Sequence, residues 1–189
     1  MNSAILPQLI LPQTIYPPIR NGSRGIVFRL SENYAAKILY TGNCLKDRTH
    51  FTLRTEAHAL AQLEHEAEIT GYMYDFDLLV PKPVGVEKIR LFDNSLTTYP
   101  AYIMQYLPFP SGADLGFHEI GTAEHLAVHE IGNAIEYGFI PLDSRERKND
   151  ARNPNNFLYN RVKRKSYLID FEFWKFEERN LFPIENLIL

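Results

Sequence analysis

The sequence has 189 residues, of which 45% are hydrophobic and 13% aromatic, and its formal net charge is -3. This apolar content excludes an intrinsically disordered chain and suffices for one well-filled core or two small lobes. The slightly acidic balance argues against a protein that coats nucleic acid with its whole surface, so an acidic partner would have to meet a local basic cluster.

The N-terminal stretch and the single cysteine predict a cytoplasmic protein that does not cross a membrane. Cys44 alone forms neither an intrachain disulfide nor a zinc site built from cysteines, as expected in a reducing compartment. Residues 1–19 are apolar but contain Pro7, Pro12, Pro17 and Pro18 and lack the basic start of a signal peptide. We expect an extended arm or an edge strand there.

The first half of the chain predicts a sheet with one helix. Short apolar runs flank the turn-forming residues 31–33 and indicate a β-hairpin. From about 54 to 68 the chain has no Gly or Pro, and apolar residues recur at helical spacing, namely Leu53, Ala57, Leu60 and Leu63. Two further strands are predicted, over 80–88 and 97–109.

The second half begins at a glycine-containing joint, SGADLG, at 111–116. A helix is predicted from about 122 to 137 and should end at Gly138. The strands at 156–159 and 166–173 are joined by the charged residues NRVKRK and indicate a second hairpin. A β-rich part therefore precedes a part with one helix and a hairpin.

The segment NGSRGIVFRLSENYAAKIL, residues 21–39, resembles the glycine-rich loop and lysine-bearing strand of protein-kinase-like phosphotransferases. Arg20 stands where that loop has its first glycine. Glycines let backbone N–H groups approach triphosphate oxygens, and a strand lysine supplies a positive charge. The resemblance implies that this segment binds ATP, through Gly22, Ser23, Gly25, Val27 and Lys37.

The same resemblance implies that a glutamate of the following helix pairs with Lys37. We expect Glu56 to be this residue, since it lies beside Ala57 at the edge of the predicted apolar stripe. Glu64 and Glu66 remain alternatives.

The segment AYIMQYLPF resembles the fifth strand and the interlobe hinge of the family. Met104 matches the gatekeeper position, and the resemblance implies that Gln105 and Leu107 present backbone groups to adenine.

The acidic residue inside the apolar run YLIDFEFW belongs to a third matching segment. Asp150 and Asn155 match the Asp-x4-Asn catalytic loop, and Asp170 matches the aspartate of Asp-Phe-Gly, here Asp-Phe-Glu, as in the choline-kinase and aminoglycoside-kinase branch. A bound Mg²⁺ compensates a carboxylate that would be costly to bury alone. The resemblance implies that Asn155 and Asp170 bind Mg²⁺ and that Asp150 takes the proton of the acceptor hydroxyl.

Two departures leave alternatives open within this segment. Lys148 replaces the histidine that precedes the loop aspartate in the family, and Glu172 replaces the glycine. Asp143 is an alternative to Asp150 as the base, and Asn156 is an alternative to Asn155 as the metal ligand.

The resemblance implies an α+β, bilobal protein-kinase-like fold, with an N-lobe at 1–107 and a much-reduced C-lobe at 108–189. Because the sequence ends soon after Asp170, it resembles the small atypical kinases of the RIO and tRNA-modification-complex types. The implied activity is transfer of the γ-phosphate of ATP to a protein or small-molecule hydroxyl, first of all to Ser or Thr of a protein. A protein partner would complete the reduced lobe.

Rival interpretations come from other classes of protein. The departures at Lys148 and Glu172 favour a pseudokinase that binds nucleotide or serves as an interaction module. A metal hydrolase would use His125 and His129, four residues apart, with His118 as the candidate third ligand. The basic cluster formed by the run 161–165 with Arg145, Arg147, Lys148 and Arg152 is either a solvated hairpin turn and loop or a site that attracts an acidic, phosphorylated or nucleic-acid substrate. The cluster contains no interleaved aromatics, which argues against a primary nucleic-acid binder.

Overall fold

A computed structural model describes residues 19–21, 24–41, 55–90, 98–141 and 153–178. Within these ranges the chain forms two compact units. The first comprises the described residues up to 74 together with 81–108, and the second comprises 75–80 together with the described residues from 109 onward.

The first unit contains a five-stranded antiparallel sheet. Its strands are β1 (Arg20–Asn21), β2 (Gly25–Arg29), β3 (Tyr34–Leu39), β4 (Pro83–Arg90) and β5 (Thr98–Gln105). Their spatial order is β1-β2-β3-β5-β4. The predicted hairpin of β2 and β3 is confirmed, and the Ser31 hydroxyl stabilises its turn by accepting the N–H groups of Asn33 and Tyr34, each at 3.2 Å.

The helix α1 (Glu56–Asp75) covers one face of this sheet. Leu39 of β3 and Tyr102 of β5 pack against Ala59 and Leu63 of the helix. The opposite face of the sheet carries a separate apolar cluster, formed by Ile26, Ala36, Ile38, Ile89, Ala101 and Ile103. Because side chains alternate along a strand, Lys37 lies on the helix-covered face of β3.

The prediction of which face of α1 is buried was wrong. Ala57 is exposed and Leu60 is half-buried, whereas the buried stripe is Ala59, Leu63, Glu66, Ile69, Thr70 and Met73. The helix also continues seven residues past the predicted end at 68, because its last two turns still bury apolar side chains.

The second unit is built on the helix α2. Its elements are a 3-10 turn at Gly112–Asp114, α2 (Phe117–Glu136), β6 (Phe139–Pro141), β7 (Phe157–Asn160), β8 (Lys165–Leu168) and β9 (Trp174–Phe176). Strands β7 and β8 form the predicted hairpin, and β6 pairs antiparallel with β9. Helix α2 begins five residues earlier than predicted, and Gly138, with φ of 95°, follows its end.

Hydrogen bonds of side chains and of the main chain connect the elements of the second unit around α2. The Glu130 carboxylate accepts the N–H of Leu79 at 2.7 Å, and the Leu79 carbonyl accepts the N–H of Leu168 at 2.8 Å. The buried hydroxyl of Ser166 donates to the carbonyl of Ala123 at 2.7 Å. The hairpin that leads to Asp170 is thus fixed to the helix.

Across the described residues, no helix combines the length and the apolar character that crossing a membrane requires.

Candidate functional site

The clearest candidate site in the first unit is an ion pair between Lys37 and Glu66. The Lys37 ammonium donates to both carboxylate oxygens of Glu66, at 2.9 Å to Oε1 and 2.7 Å to Oε2. The two side chains are only 11% and 3% exposed. Strand alternation and the helix register therefore hold a lysine against a carboxylate with almost no access to solvent.

The pairing of Lys37 with Glu56 that the sequence suggested is not the pairing in the structure. Glu56 lies in the first turn of α1, is exposed, and has its carboxylate 4.0 Å from the ammonium of Lys88. Ten residues separate it from Glu66, which corresponds to roughly 15 Å along the helix axis. Glu64 is exposed and lies away from the buried stripe, so Glu66 is the alternative that the structure supports.

Tyr102 and Thr70 surround this ion pair and were not identified from the sequence. Tyr102 lies opposite Lys37 in the pairing of β3 with β5 and is 1% exposed. Its hydroxyl has no hydrogen-bond partner among the described residues. Burial raises the pKa of Tyr102, the neighbouring Thr70 hydroxyl opposes this rise, and the charges of Glu66 and Lys37 have smaller raising and lowering effects, so the phenol is neutral at neutral pH.

The Thr70 hydroxyl donates to the main-chain carbonyl of Glu66 at 2.6 Å, which fixes that turn of α1. The side-chain oxygen of Gln62, one helical turn before Glu66, is also buried without a partner in the described part of the chain. Orphaned buried polar atoms are rare in folded proteins and mark places where water or a ligand group would be favourable. A correct prediction of the pairing of β3 with β5 would have identified Tyr102 from the sequence, because Tyr102 lies opposite Lys37 in that pairing.

The end of β5 carries the residues that resemble a hinge. Met104 is half-buried beside the cluster between sheet and helix. The N–H of Gln105 donates to the carbonyl of Lys82 at 2.8 Å. The N–H of Leu107 makes no hydrogen bond with any residue that the structure describes. Leu107 therefore offers a main-chain donor, whereas Gln105 does not.

Gly25 has a structural reason to be glycine that is separate from phosphate binding. A Cβ at this position would lie 2.5 Å from the carbonyl oxygen of Ile38 on the paired strand. Val27 is half-buried and pairs with Lys37 across the hairpin. Four predicted or alternative site residues lie outside the described residues, namely Gly22, Ser23, Asp143 and Asp150.

In the second unit the structure brings the segments of Asn155 and Asp170 together. The N–H of Ile169 donates to the carbonyl of Asn156 at 2.9 Å, directly before Asp170. The N–H of Asn155 donates to the Asn153 side chain at 3.0 Å. The segments that carry the Asp170 carboxylate and the Asn155 amide therefore adjoin, and both side chains contain oxygen atoms of the kind that Mg²⁺ prefers as ligands.

Asp170 adopts a left-handed backbone conformation with φ of 70°. Non-glycine residues adopt this region rarely, and such residues cluster at functional sites. Asp170 itself is exposed, whereas the second acid of the run, Glu172, is 6% exposed. Phe171 is buried and packs edge-on against Trp174, with ring centroids 5.6 Å apart, so an apolar anchor follows the exposed carboxylate.

The histidines of the metal-hydrolase interpretation do not form a cluster. His118, His125 and His129 are exposed, and the ring of His129 lies 3.4 Å from the side-chain nitrogen of Asn133. Within the described residues, no three His, Cys, Asp or Glu side chains are grouped so that they could hold a metal ion.

Comparison with solved structures shows what fold this chain has. The Rio2 kinase from Chaetomium thermophilum, crystallised as an ADP/Mg²⁺-phosphoaspartate complex, matches with a TM-score of 0.54 at 12% identity, over 88% of this chain and 50% of that chain. WbdD matches at 0.51 and 17% identity, over 84% of this chain and 32% of that chain. WbdD co-crystallised with the kinase inhibitor LY294002 matches at 0.50 and 17%, over 85% and 33%.

No protein-family model and no curated protein matches the sequence. The chain spans half of the Rio2 structure and about a third of the WbdD structures. At these identities the matches show the fold alone, which is an α+β, protein-kinase-like fold.

Proposed function

We propose that the protein is an ATP- and Mg²⁺-dependent phosphotransferase that transfers the γ-phosphate to a hydroxyl group, with Ser or Thr of a protein as the first candidate acceptor. The observation that carries this proposal is the buried ion pair of Lys37 with both oxygens of Glu66. Burying a salt bridge brings little net stability, since desolvation of both charges offsets their attraction. Because stability alone does not explain the pair, we infer that Lys37 is held in this position to bind phosphate.

Nucleotide binding assigns a role to each matching segment of the first unit. Lys37, oriented by Glu66, would contact the α and β phosphates. The loop before β2 would cover the phosphates through Gly22, Ser23, Gly25 and Val27. Adenine would lie beside Met104, where the N–H of Leu107, which has no partner among the described residues, would donate to an adenine nitrogen, and Gln105 would contribute its carbonyl.

The second unit contains oxygen ligands of the kind that Mg²⁺ binds. This cation prefers oxygen ligands and usually contacts only a few protein groups, and here the Asp170 carboxylate and the Asn155 amide oxygen would be those groups. Asn156 is the alternative amide ligand. When bound, Mg²⁺ neutralises the charge that develops on the transferring phosphoryl group.

Asp150 would orient the acceptor hydroxyl and take its proton, with Asp143 as the alternative base. Comparing Asp150→Ala with Asp143→Ala tests this assignment. Loss of transfer in the first variant alone supports Asp150, and loss in the second alone moves the role to Asp143.

Label transfer from γ-labelled ATP with Mg²⁺ to a generic basic protein tests the proposed function. Lys37→Met, Glu66→Gln and Asp170→Asn should each reduce the rate by about a hundredfold or more, because each removes a group that stabilises the transition state. Glu56→Gln is the matched control and should retain the wild-type rate, because Glu56 is exposed and lies ten positions before Glu66 on α1.

The assay also separates active from inactive members of this fold. If Mg²⁺-ATP raises the melting temperature but no acceptor or self-phosphorylation is detected, the pseudokinase interpretation replaces the proposal. The buried Glu172, in place of the family's glycine, would be its first structural correlate.

A further inference from the structure

The buried hydroxyl of Tyr102 is a polar group that the stability of the fold does not explain. Tyr102 is 1% exposed, and its hydroxyl has no hydrogen-bond partner among the described residues. Phenylalanine would fill the same volume without the cost of burying an unsatisfied hydroxyl. Unsatisfied buried polar groups are rare in native proteins, and a role in catalysis is one of the few reasons for which they occur.

Three observations place the Tyr102 hydroxyl near the ion pair of Lys37 with Glu66. Tyr102 is directly opposite Lys37 in the pairing of β3 with β5, and such side chains lie on one face with Cβ atoms about 5 Å apart. The Tyr102 ring packs in one cluster with Leu63, which lies three residues before Glu66 on α1. Burial raises the pKa of Tyr102 most, and Thr70, Glu66 and Lys37 also act on it, as expected when these groups lie around the hydroxyl.

Of the two hydroxyl groups beside this ion pair, one is already engaged as a donor. Thr70 has a single hydroxyl hydrogen, which it donates to the main-chain carbonyl of Glu66 at 2.6 Å. Tyr102 also has one, and no described residue accepts it. Tyr102 therefore supplies an unused, neutral donor near the Glu66 carboxylate.

Phosphate binding by Lys37 changes the number of hydrogens that reach Glu66. The Lys37 ammonium donates to both Glu66 oxygens, at 2.9 Å and 2.7 Å. In the proposed function it also contacts the α and β phosphates. Four contacts exceed the three N–H groups of an ammonium, so one bond to Glu66 is given up. The released oxygen belongs to a side chain that is only 3% exposed, so bulk water does not replace the lost donor.

We infer that Tyr102 is a positioning residue for phosphate transfer, and that its hydroxyl donates to the Glu66 oxygen that Lys37 releases when it binds the phosphates. This inference rests on the proposed function. The bond from Tyr102 keeps a donor on each oxygen of Glu66, and Glu66 in turn holds Lys37 against the phosphates. Without this bond, nucleotide binding would leave a buried carboxylate oxygen unsatisfied, which reduces affinity.

The structural alternative is a permanent hydrogen bond from Tyr102 to the Thr70 oxygen or to a buried water. A permanent bond predicts that removal of the hydroxyl lowers the stability of the protein with and without nucleotide. The positioning role predicts effects of opposite sign, because the hydroxyl is unsatisfied until Lys37 binds phosphate. Measuring both stability and affinity on one variant therefore separates the two explanations.

Calorimetric titration with Mg²⁺-ATP and thermal unfolding without nucleotide, both on the full chain, test the inference. Tyr102→Phe should weaken Mg²⁺-ATP binding by about tenfold and should raise the melting temperature of the protein alone. Tyr99→Phe is the matched control, since Tyr99 lies on the same strand and packs on the opposite face of the sheet. It should leave the Kd for Mg²⁺-ATP unchanged.

The Lys37→Met background provides a test that needs no nucleotide. Methionine removes the ammonium from Glu66, and the Tyr102 hydroxyl should then donate to the carboxylate that has lost it. Tyr102→Phe should therefore lower the melting temperature in this background, although it raises the melting temperature of the wild type. Such a change of sign is the signature of direct coupling between two positions in a double-mutant cycle.

Three results would overturn the inference alone. They are an unchanged Kd in Tyr102→Phe when the wild type binds Mg²⁺-ATP, a fall in both affinity and melting temperature, and the same sign of the melting-temperature change in both backgrounds. If Lys37→Met does not fold, the Kd and melting temperature of Tyr102→Phe decide. Absence of Mg²⁺-ATP binding by the wild type would overturn the proposed function, and this inference with it.

Discussion

At the scale of single residues, the choice of glutamate partner decides how Lys37 is held. Glu66→Gln leaves the 11% exposed lysine without its counter-charge, and breaking a buried pair in this way typically costs about 3–5 kcal/mol. We expect a loss near the lower end of that range in the free energy of unfolding, measured by urea denaturation. Glu56→Gln should change it by less than about 0.5 kcal/mol, since Glu56 is exposed. The reverse order of these effects would restore Glu56 as the partner.

Removal of the Tyr102 hydroxyl should have the opposite effect to Glu66→Gln and should stabilise the protein. Phenylalanine fills the same buried volume, and the cost of an unsatisfied buried hydroxyl, about 1–3 kcal/mol, is no longer incurred. We expect Tyr102→Phe to raise the free energy of unfolding by about 1 kcal/mol. A clear decrease would mean that the hydroxyl is hydrogen-bonded in solution, with Thr70 or a buried water as the partner.

At the scale of elements, the contact of the 3-10 turn with β7 depends on a missing side chain. A Cβ on Gly112 would lie 2.6 Å from Cε2 of Phe157 and 2.8 Å from the carbonyl oxygen of Pro154. Gly112→Ala should therefore lower the free energy of unfolding by about 1–3 kcal/mol. Gly121→Ala, within α2, has no atom within 4 Å of the new Cβ and should raise it by up to about 1 kcal/mol.

The ion pair between α2 and the hairpin turn predicts a pH dependence. The hydrogen bond from Arg161 lowers the pKa of Glu119 below its ordinary value of 4.5, with desolvation opposing and the charge of Arg161 assisting. A carboxyl group whose pKa is lower in the folded state stabilises the fold above the unfolded pKa, and this stability is lost as pH falls through the folded pKa. Glu119→Gln should therefore be less stable than wild type at neutral pH.

That difference should vanish as the pH falls below the folded pKa of Glu119, which thermal unfolding of both proteins across the acidic range will show. A difference that stays constant with pH would mean that the effect of the substitution is steric.

At the scale of the whole molecule, local patterns predicted the elements but not their registers. The turn residues Ser31 to Asn33 and the charged connection 160–165 sufficed to predict both hairpins, since turn chemistry acts over a few residues. The partner of Lys37 depended instead on how far α1 extends and which turn faces β3. The extent of α1 and its buried face are seen in the burial of Ile69 and Met73, which lie beyond the predicted helix end at 68 and so could not contribute to the periodicity over 54–68.

Ligand binding provides the prediction that tests the molecule as a whole. A ligand that binds only the folded state stabilises it by about 2.7 kcal/mol at a concentration of 100 Kd. We expect Mg²⁺-ATP to raise the melting temperature, and ATP with EDTA to raise it less, because Asp170 and Asn155 would then have no cation through which to act on the phosphates. Lys37→Met should reduce the shift with Mg²⁺-ATP, while Glu56→Gln should reproduce the wild-type shift.

Two outcomes would contradict this prediction. Equal shifts for the wild type with Mg²⁺, the wild type with EDTA, Lys37→Met and Glu56→Gln would mean that the nucleotide binds away from Lys37. The absence of any shift in the wild type would contradict nucleotide binding itself.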